Sequence, residues 1–340
     1  MKQVLLYEKL KNQAVKCLTC GHYCQILPDK RGVCGVRENQ DGALFALNYG
    51  RIVARGVDPV EKKPLFHFLP GTKTYSIASQ GCSFRCGNCQ NWRISQAGQN
   101  LESVEISGEK ITPGAVVKAA LKTKCPSISY TYTEPTIFLE FALDTMKIAR
   151  KKGLKNIFVS NGFMSQESAK TVIPYLDANN IDLKSFSNEF YIKNCGGRLQ
   201  PVLDTAKLMK KSGVWVEITT LAIPTLSDSG EMFKEIADFI YKELGPETPW
   251  HISRFSGAFS WKYKHLQDTP VKTLKTAYEI GKKAGLKYVY TGNVPGLPSE
   301  DTVCPRCGAL CVNRFGYSIK RYDKNGKCPK CGENLDLILK

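Results

Sequence analysis

The segment YSIASQGCSFRCGNCQNW, residues 75–92, decides how the rest of the chain is read. Its first five residues read as a short buried strand. A loop follows that carries three cysteines, Cys82, Cys86 and Cys89, in the spacing C-x3-C-x2-C. That loop offers three thiolates and no nearby fourth. A structural zinc site normally closes with four ligands. Three thiolates on a [4Fe–4S] cluster instead leave one iron open, where a substrate or cofactor can bind and receive an electron.

Further strand-like runs follow: SISYTY (127–132), NIFVS (156–160), NIDLK (180–184), VWVEITTLAI (214–223), WHISRF (250–255) and KYVYTG (287–292). Helix-like stretches at 136–152, 201–212, 230–243 and 271–284 separate them. Regular βα alternation predicts an α/β fold, a parallel sheet covered by helices, as a full or partial TIM-type (β/α) barrel. In such barrels the chemistry sits at the C-terminal ends of the strands. The polar residues of the middle segment fall there: Glu134, Ser160, Asn161, Asp182, Lys184, Arg254 and Asn293, besides the three-cysteine loop.

The other cysteines divide the chain. Of 14, four lie at Cys17, Cys20, Cys24 and Cys34, and five close the sequence at Cys304, Cys307, Cys311, Cys328 and Cys331. The motifs CPRC (304–307) and CPKC (328–331), each followed by glycine, can place four thiolates around one tetrahedral ion. The intervening VNRFGYSIKRYDKNGK reads as a β-ribbon turning at Asn325-Gly326, so a zinc-ribbon or rubredoxin-like module is expected, with Cys311 a small core residue. The N-terminal four can hold zinc or an iron–sulfur cluster, with His22 a substitute ligand. A hairpin is expected after them, with Asp41-Gly42 as its turn and ALFAL and RIVAR as its strands. The expected domains are 1–70, 71–297 and 298–340.

Composition excludes other classes. The chain is 42% hydrophobic and 23% charged, so it can bury a core. No apolar run reaches the ~18 residues of a membrane span. The start, MKQVLLYEKL, lacks a signal-peptide core. Rossmann and P-loop patterns are absent. A cytoplasmic protein with reduced thiols is expected. The net charge of +17 is spread over all three segments, and no RNA-recognition signature accompanies it.

At this point the chain resembles the radical S-adenosylmethionine (SAM) superfamily, whose signature is this cysteine spacing after a first barrel strand. The strings VDPVEKKPLFHFLPG (57–71), SYTYTEPTIF (129–138), RLQPVLDT (198–205), TPWHISRF (248–255) and YTGNVPG (290–296) look like one subgroup. That subgroup is the radical SAM enzyme of the AmmeMemoRadiSam system, related to pyruvate formate-lyase activating enzymes. The resemblance covers nearly the whole chain. It implies that SAM binds an open iron and is cleaved reductively to methionine and a 5′-deoxyadenosyl radical, which removes hydrogen from a substrate. It implies a reductant such as flavodoxin or ferredoxin, and a functional link to Memo-like and AMMECR-like proteins. It names no substrate.

The resemblance also implies roles for residues. Glu134 stands at the place of the motif that meets the SAM amino group. Ser160 and Asn161 match a strand-end position that approaches SAM. Asp182 and Lys184 match the D-x-K of the activases and, at period two, share a face. Asn293 resembles an adenine contact. Glu217 and Thr219 also share a face, read as inward because Trp215 continues it. Arg254 can clamp a carboxylate. Cys195, in NCGGR, is a candidate thiol near substrate, accessible because glycines flank it, although a buried thiol is the plainer reading. His251 reads as a core histidine. One departure stands out: Asn88 replaces the aromatic residue usual before the third cysteine, and Phe84 is expected to supply apolar surface instead. Two alternatives remain. One is an activase acting on a protein glycine; the other is an RNA-binding or RNA-modifying protein built on the zinc modules.

Overall fold

The structure, a computed structural model, describes residues 1–97, 105–294 and 296–340. Pro295 of the YTGNVPG string lies outside the described residues. The seven strand-like runs all pair into one sheet. An edge strand β1 (Ala54–Pro59) precedes β2 (Lys73–Ala78), β3 (Ser127–Tyr130), β4 (Lys155–Ser160), β5 (Ala178–Asp182), β6 (Trp215–Ala222), β7 (Trp250–Arg254) and β8 (Val289–Gly292). Spatial order equals sequence order, and every pair from β2 to β8 is parallel. Such strands are covered on both faces, which is why Ser127–Tyr130 is buried at every position.

The crossovers are α1 (Pro113–Lys122), α2 (Leu139–Lys151), α3 (Gln166–Val172), α4 (Gln200–Lys211), α5 (Gly230–Phe239) and α6 (Val271–Lys283). Thr112, Ser165 and Ser229 cap α1, α3 and α5, their hydroxyls accepting from the N–H groups of Ala115, Ser168 and Met232. No helix among the described residues is long and apolar enough to cross a membrane.

Full barrel closure is corrected by the ladder. β1 is antiparallel to β2 at one edge and β8 forms the other. Among the described residues, no pairing joins β8 back to β1 or β2. The N-terminal hairpin also differs from expectation. Asp41-Gly42 is its turn, but the paired strands are Arg37–Gln40 and Ala43–Ala46. RIVAR leaves the hairpin, and Ala54 onward becomes β1. The C-terminal hairpin pairs Leu310–Phe315 with Ser318–Arg321 and turns at Gly316-Tyr317. Asn325-Gly326 instead forms the turn that leads into the second cysteine pair, inside the Lys324–Lys327 bridge.

Residues 60–69 cover the start of the strands. Val60, Leu65, Phe68 and Leu69 pack with Ile157, Ala178, Trp215 and Ile338. The C-terminal tail seals this base: Leu69 N–H donates to Ile338 O at 2.8 Å and Ile338 N–H to His67 O at 2.8 Å. Arg314, 3% exposed, lies over the Phe66 ring and donates to Phe66 O at 2.9 Å and Thr302 Oγ1 at 2.7 Å.

Here Glu217 finds its partners. It accepts from Phe66 N–H and His67 N–H (2.9 Å each) and from Trp215 Nε1 (2.9 Å), and pairs with His251 Nε2 at 2.7 Å. Burial drives the His67 imidazole down to about 4 despite the neighbouring Glu217 carboxylate. A depressed folded value means the unfolded chain takes up the proton first, so stability falls as pH drops from about 6.5 to about 4. We expect wild type to lose on the order of 3 kcal/mol more than His67→Gln across that window. Urea denaturation of both proteins at pH 7 and pH 4.5 checks this, and parallel losses would refute a neutral His67.

Candidate metal and cofactor site

The three-cysteine loop lies at the C-terminal end of β2 and is pinned by loops after other strands. Arg85 N–H donates to Cys195 O at 2.7 Å and Gly87 N–H to Asn194 O at 3.1 Å, both after β5. Gly87 O accepts from Ser260 Oγ at 3.1 Å and Lys262 N–H at 2.8 Å, both after β7. Asn91 Nδ2 donates to Tyr132 O at 2.8 Å, after β3. Tyr263 OH bonds Asn194 Oδ1, tying two of these supports together.

Donors surround the sulfurs. Phe84 N–H lies 3.3 Å from Cys82 Sγ, Asn161 Nδ2 lies 3.7 Å from the same atom, and Ser95 Oγ lies 3.2 Å from Cys89 Sγ. The Cys195 thiol donates to Cys86, which lowers the Cys86 pKa. Such bonds stabilise thiolates and tune the potential of a cluster they hold.

Glu134, Ser160 and Asn161 come together beside Cys82. Glu134 is 1% exposed. Its Oε1 accepts from Thr136 N–H (3.0 Å), Thr136 Oγ1 (2.5 Å) and Ser160 Oγ (2.9 Å), and its Oε2 accepts from Asn161 N–H at 2.8 Å. Burial pushes its carboxyl upward, against these hydrogen bonds. The acid thus ties the loop after β3 to the loop after β4. Asn161 passes that order on, donating to Ser83 Oγ at 3.1 Å. Asp182 and Lys184 pair at 2.8 Å. Burial disfavours the ammonium, but Asp182, Cys86 and Cys195 outweigh it and hold Lys184 charged well above its ordinary value.

Other expected residues stand apart from this group. Glu217 is held in the base network and is not brought to the cysteine loop. Thr219 lies on the same face of β6 and spends its hydroxyl on Asn180 Oδ1 at 3.0 Å. Arg254 donates to Thr269 O at 2.9 Å and lies 3.6 Å from Asp268, so its fork is partly engaged. Asn293 reaches back to Arg254 O at 3.0 Å.

Cys195 is fully buried beside Cys86, as its plainer reading had it. One reading is corrected. Phe84 is 1% exposed and packs into the core on Phe163 and Tyr191, with ring centroids 4.9 and 5.8 Å away. The second glycine of NCGGR makes room for Phe84: a Cβ on Gly197 would lie 2.3 Å from its Cε1. Replacing Gly197 with alanine should cost about 1–3 kcal/mol and displace the cysteine loop. A lower thermal midpoint and lower iron uptake are expected; unchanged values for both would contradict the contact. Sequence reasoning missed Tyr191, Asn194, Ser260 and Tyr263, because loop-to-loop bonds leave no periodic trace.

The residues fit an iron–sulfur cluster with a bound cofactor. The donor set is three thiols with N–H and hydroxyl partners, and Asn88 Oδ1 is a buried acceptor with no partner. Among the described residues, only Cys304, Cys307, Cys328 and Cys331 bring three or more ligand atoms within 4.8 Å of one another. Their facing sulfurs are 3.5 and 3.6 Å apart, near the ~3.8 Å that a tetrahedral ion with Zn–S of about 2.3 Å imposes. Cys311 stays outside this set, its thiol on Ala309 O at 3.3 Å.

The sequence pattern of the radical SAM superfamily matches residues 76–240. The chain is 44% identical over 342 residues to an uncharacterized protein of Methanocaldococcus jannaschii, covering 100% of both. It is 23% identical over 180 residues to the pyruvate formate-lyase-activating enzyme of Clostridium pasteurianum, covering 50% of this chain and 70% of that one. A radical SAM methyltransferase from Sphaerobacter thermophilus shares the fold, with a TM-score of 0.50 at 12% identity over 68% of this chain and 70% of that one.

Proposed function

The chain belongs to the radical SAM superfamily, and from that premise we propose that it is an enzyme whose Cys82, Cys86 and Cys89 hold a [4Fe–4S] cluster that works with SAM. When bound, that group supplies the electron that cleaves SAM to methionine and a 5′-deoxyadenosyl radical able to remove hydrogen from a substrate. The observation that carries this reading is the convergence of Glu134, Ser160, Asn161, Asp182 and Lys184 on the three-cysteine loop.

This chain's residues then have distinct tasks. Lys184 places positive charge beside Cys86 and suits a carboxylate. Asn88 Oδ1 suits an amine. Glu134 positions Asn161 and Ser160, and its Oε2 retains acceptor capacity. Arg254 and Asn293 suit the outer part of the same mouth. We assign zinc to the C-terminal cysteines, divide the chain functionally at 1–70, 71–297 and 298–340, and place it in a reducing compartment, where cysteines clustered at ligand spacing hold metal rather than disulfides.

Anaerobic protein loaded with iron and sulfide, given SAM and dithionite, should yield methionine and 5′-deoxyadenosine in equal amounts. Iron-loaded protein that yields neither would sink the proposal. In Glu134→Gln the side chain donates where Asn161 or Ser160 needs an acceptor. An unsatisfied buried donor costs about 1–3 kcal/mol, so SAM affinity should fall roughly 5- to 150-fold in anaerobic calorimetry. Unchanged affinity would remove Glu134 from the site.

Similarity to an activating enzyme favours a second reading, a protein glycine as hydrogen donor. A glycyl-radical signal on a co-incubated partner protein would select it. The likeness of residues 57–71, 129–138, 198–205, 248–255 and 290–296 to the AmmeMemoRadiSam subgroup supports instead a role beside Memo-like and AMMECR-like proteins.

A further inference from the structure

The four N-terminal cysteines form a centre that the proposed reaction does not use. Cys17, Cys20, Cys24 and Cys34 line one small cavity together with Thr19, Ile26, Gly32, Arg37 and Ile137. Cys17, Cys20 and Cys34 are 5, 8 and 6% exposed. His22 is not among the lining groups. Its Nε2 turns instead to Ser83 O at 2.8 Å.

Two observations identify the occupant. The first is spacing. The C-terminal sulfurs lie at single-ion distance, whereas these four surround a small cavity and no three of them lie within 4.8 Å of one another. One tetrahedral ion holds its sulfurs ~3.8 Å apart. A cluster sets a different iron before each thiolate and needs them wider. The second is Arg37, 2% exposed and part of the cavity wall. Its NH1 and NH2 are used on Glu140, at 3.1 and 2.8 Å. Its Nε–H is buried with no partner. A buried cation with a spare donor suits an anionic group that has sulfur acceptors of its own.

We propose that Cys17, Cys20, Cys24 and Cys34 hold a second iron–sulfur cluster, of the [4Fe–4S] kind, which passes electrons to the centre at Cys82, Cys86 and Cys89. The relay rests on the radical SAM reading of that loop; the second cluster itself does not. Four thiolates leave no open iron, so this cluster transfers electrons and binds no SAM. The two centres share a wall. Gly81, with φ +103°, presents no Cβ to Cys34 O, which a Cβ would approach to 2.9 Å. Gly21 N–H donates to Phe163 O at 3.1 Å, and Cys20 bridges Met164. A reduced flavodoxin or ferredoxin gives one electron, taking the cluster from 2+ to 1+. That electron moves on to the neighbouring centre and returns the cluster to 2+, with no bond made or broken and no proton moved.

The test uses full-length protein reconstituted anaerobically, with iron, sulfide and zinc counted and the reduced state followed by electron paramagnetic resonance. Wild type should bind about eight iron per chain, and Cys82→Ala/Cys86→Ala/Cys89→Ala about four, with a reduced signal that SAM does not change. Zinc in place of that remaining iron overturns the proposal. Iron retained there but no SAM-sensitive signal in wild type would instead overturn the reading of the three-cysteine loop. In Cys17→Ser/Cys20→Ser/Cys24→Ser/Cys34→Ser, dithionite should still reduce a SAM-sensitive cluster, which shows that the chain has folded. Reduction by flavodoxin should be lost in the same variant. Unimpaired reduction by flavodoxin overturns the relay.

Discussion

Cys82→Ala/Cys86→Ala/Cys89→Ala should form 5′-deoxyadenosine no faster than a protein-free control while remaining folded. The chemistry needs an iron held firmly by three thiolates with one position open, and no other group in the loop can replace a lost ligand. The fold survives because the loop is held by backbone bonds that alanine retains, those of Arg85 to Cys195 O, Gly87 to Asn194 O and Lys262 to Gly87 O. The single variants should differ. Behind Cys86 lies the Cys195 thiol, already hydrogen-bonded to it. Cys86→Ala should therefore keep the most iron of the three, and Cys86→Ala/Cys195→Ala should lose that remainder. Product formation by the triple variant at the wild-type rate would refute the assignment. Equal iron in the two Cys86 variants would refute only the substitute role.

The second large effect is expected at the opposite end of the strands. Removing the zinc we assign to Cys304, Cys307, Cys328 and Cys331, or making Cys328→Ser/Cys331→Ser, should release residues 302–340 and expose the base of the sheet. A structural zinc site contributes an apparent ~10–16 kcal/mol, far more than this small ribbon can draw from its core. That core is little more than the cysteines themselves with Ala309, Leu335 and Leu337. With the ribbon go the Arg314 bonds to Phe66 and Thr302, the Tyr288 OH–Asp336 bond of 3.0 Å and the Ile338 seal on His67 and Leu69. Hydrogen exchange should rise across 60–69 and 302–340, and iron binding at Cys82, Cys86 and Cys89 should persist. Protection unchanged after full zinc removal would contradict a structural role.

How much of this was legible depended on the kind of interaction. The parallel strands could be read because each is a short apolar run set off by an amphipathic helix, a pattern carried by neighbours in sequence. Thiolate chemistry could be read from spacing, because a loop of eight residues from Cys82 to Cys89 has few ways to fold around its ligands. Strand β1 was missed because RIVAR and the residues after it alternate as a hairpin strand would. Its true partner, Lys73–Ala78, is selected by register across a turn. Glu217 shows the limit of periodicity: the groups it meets come from residues 66–67 and 251, which no pattern along its own strand announces.

By itself, then, the sequence determined the α/β alternation, the three cysteine groups and the placement of Glu134, Ser160, Asn161, Asp182 and Lys184 at strand ends. Local spacing and side-chain chemistry are enough for that. Only the tertiary structure decided that the sheet has open edges, that Cys195 is buried against Cys86, that Phe84 needs Gly197, and that the N-terminal cysteines surround a cavity beside the three-cysteine loop. Those facts rest on contacts between segments far apart in sequence, whose distances are set by packing.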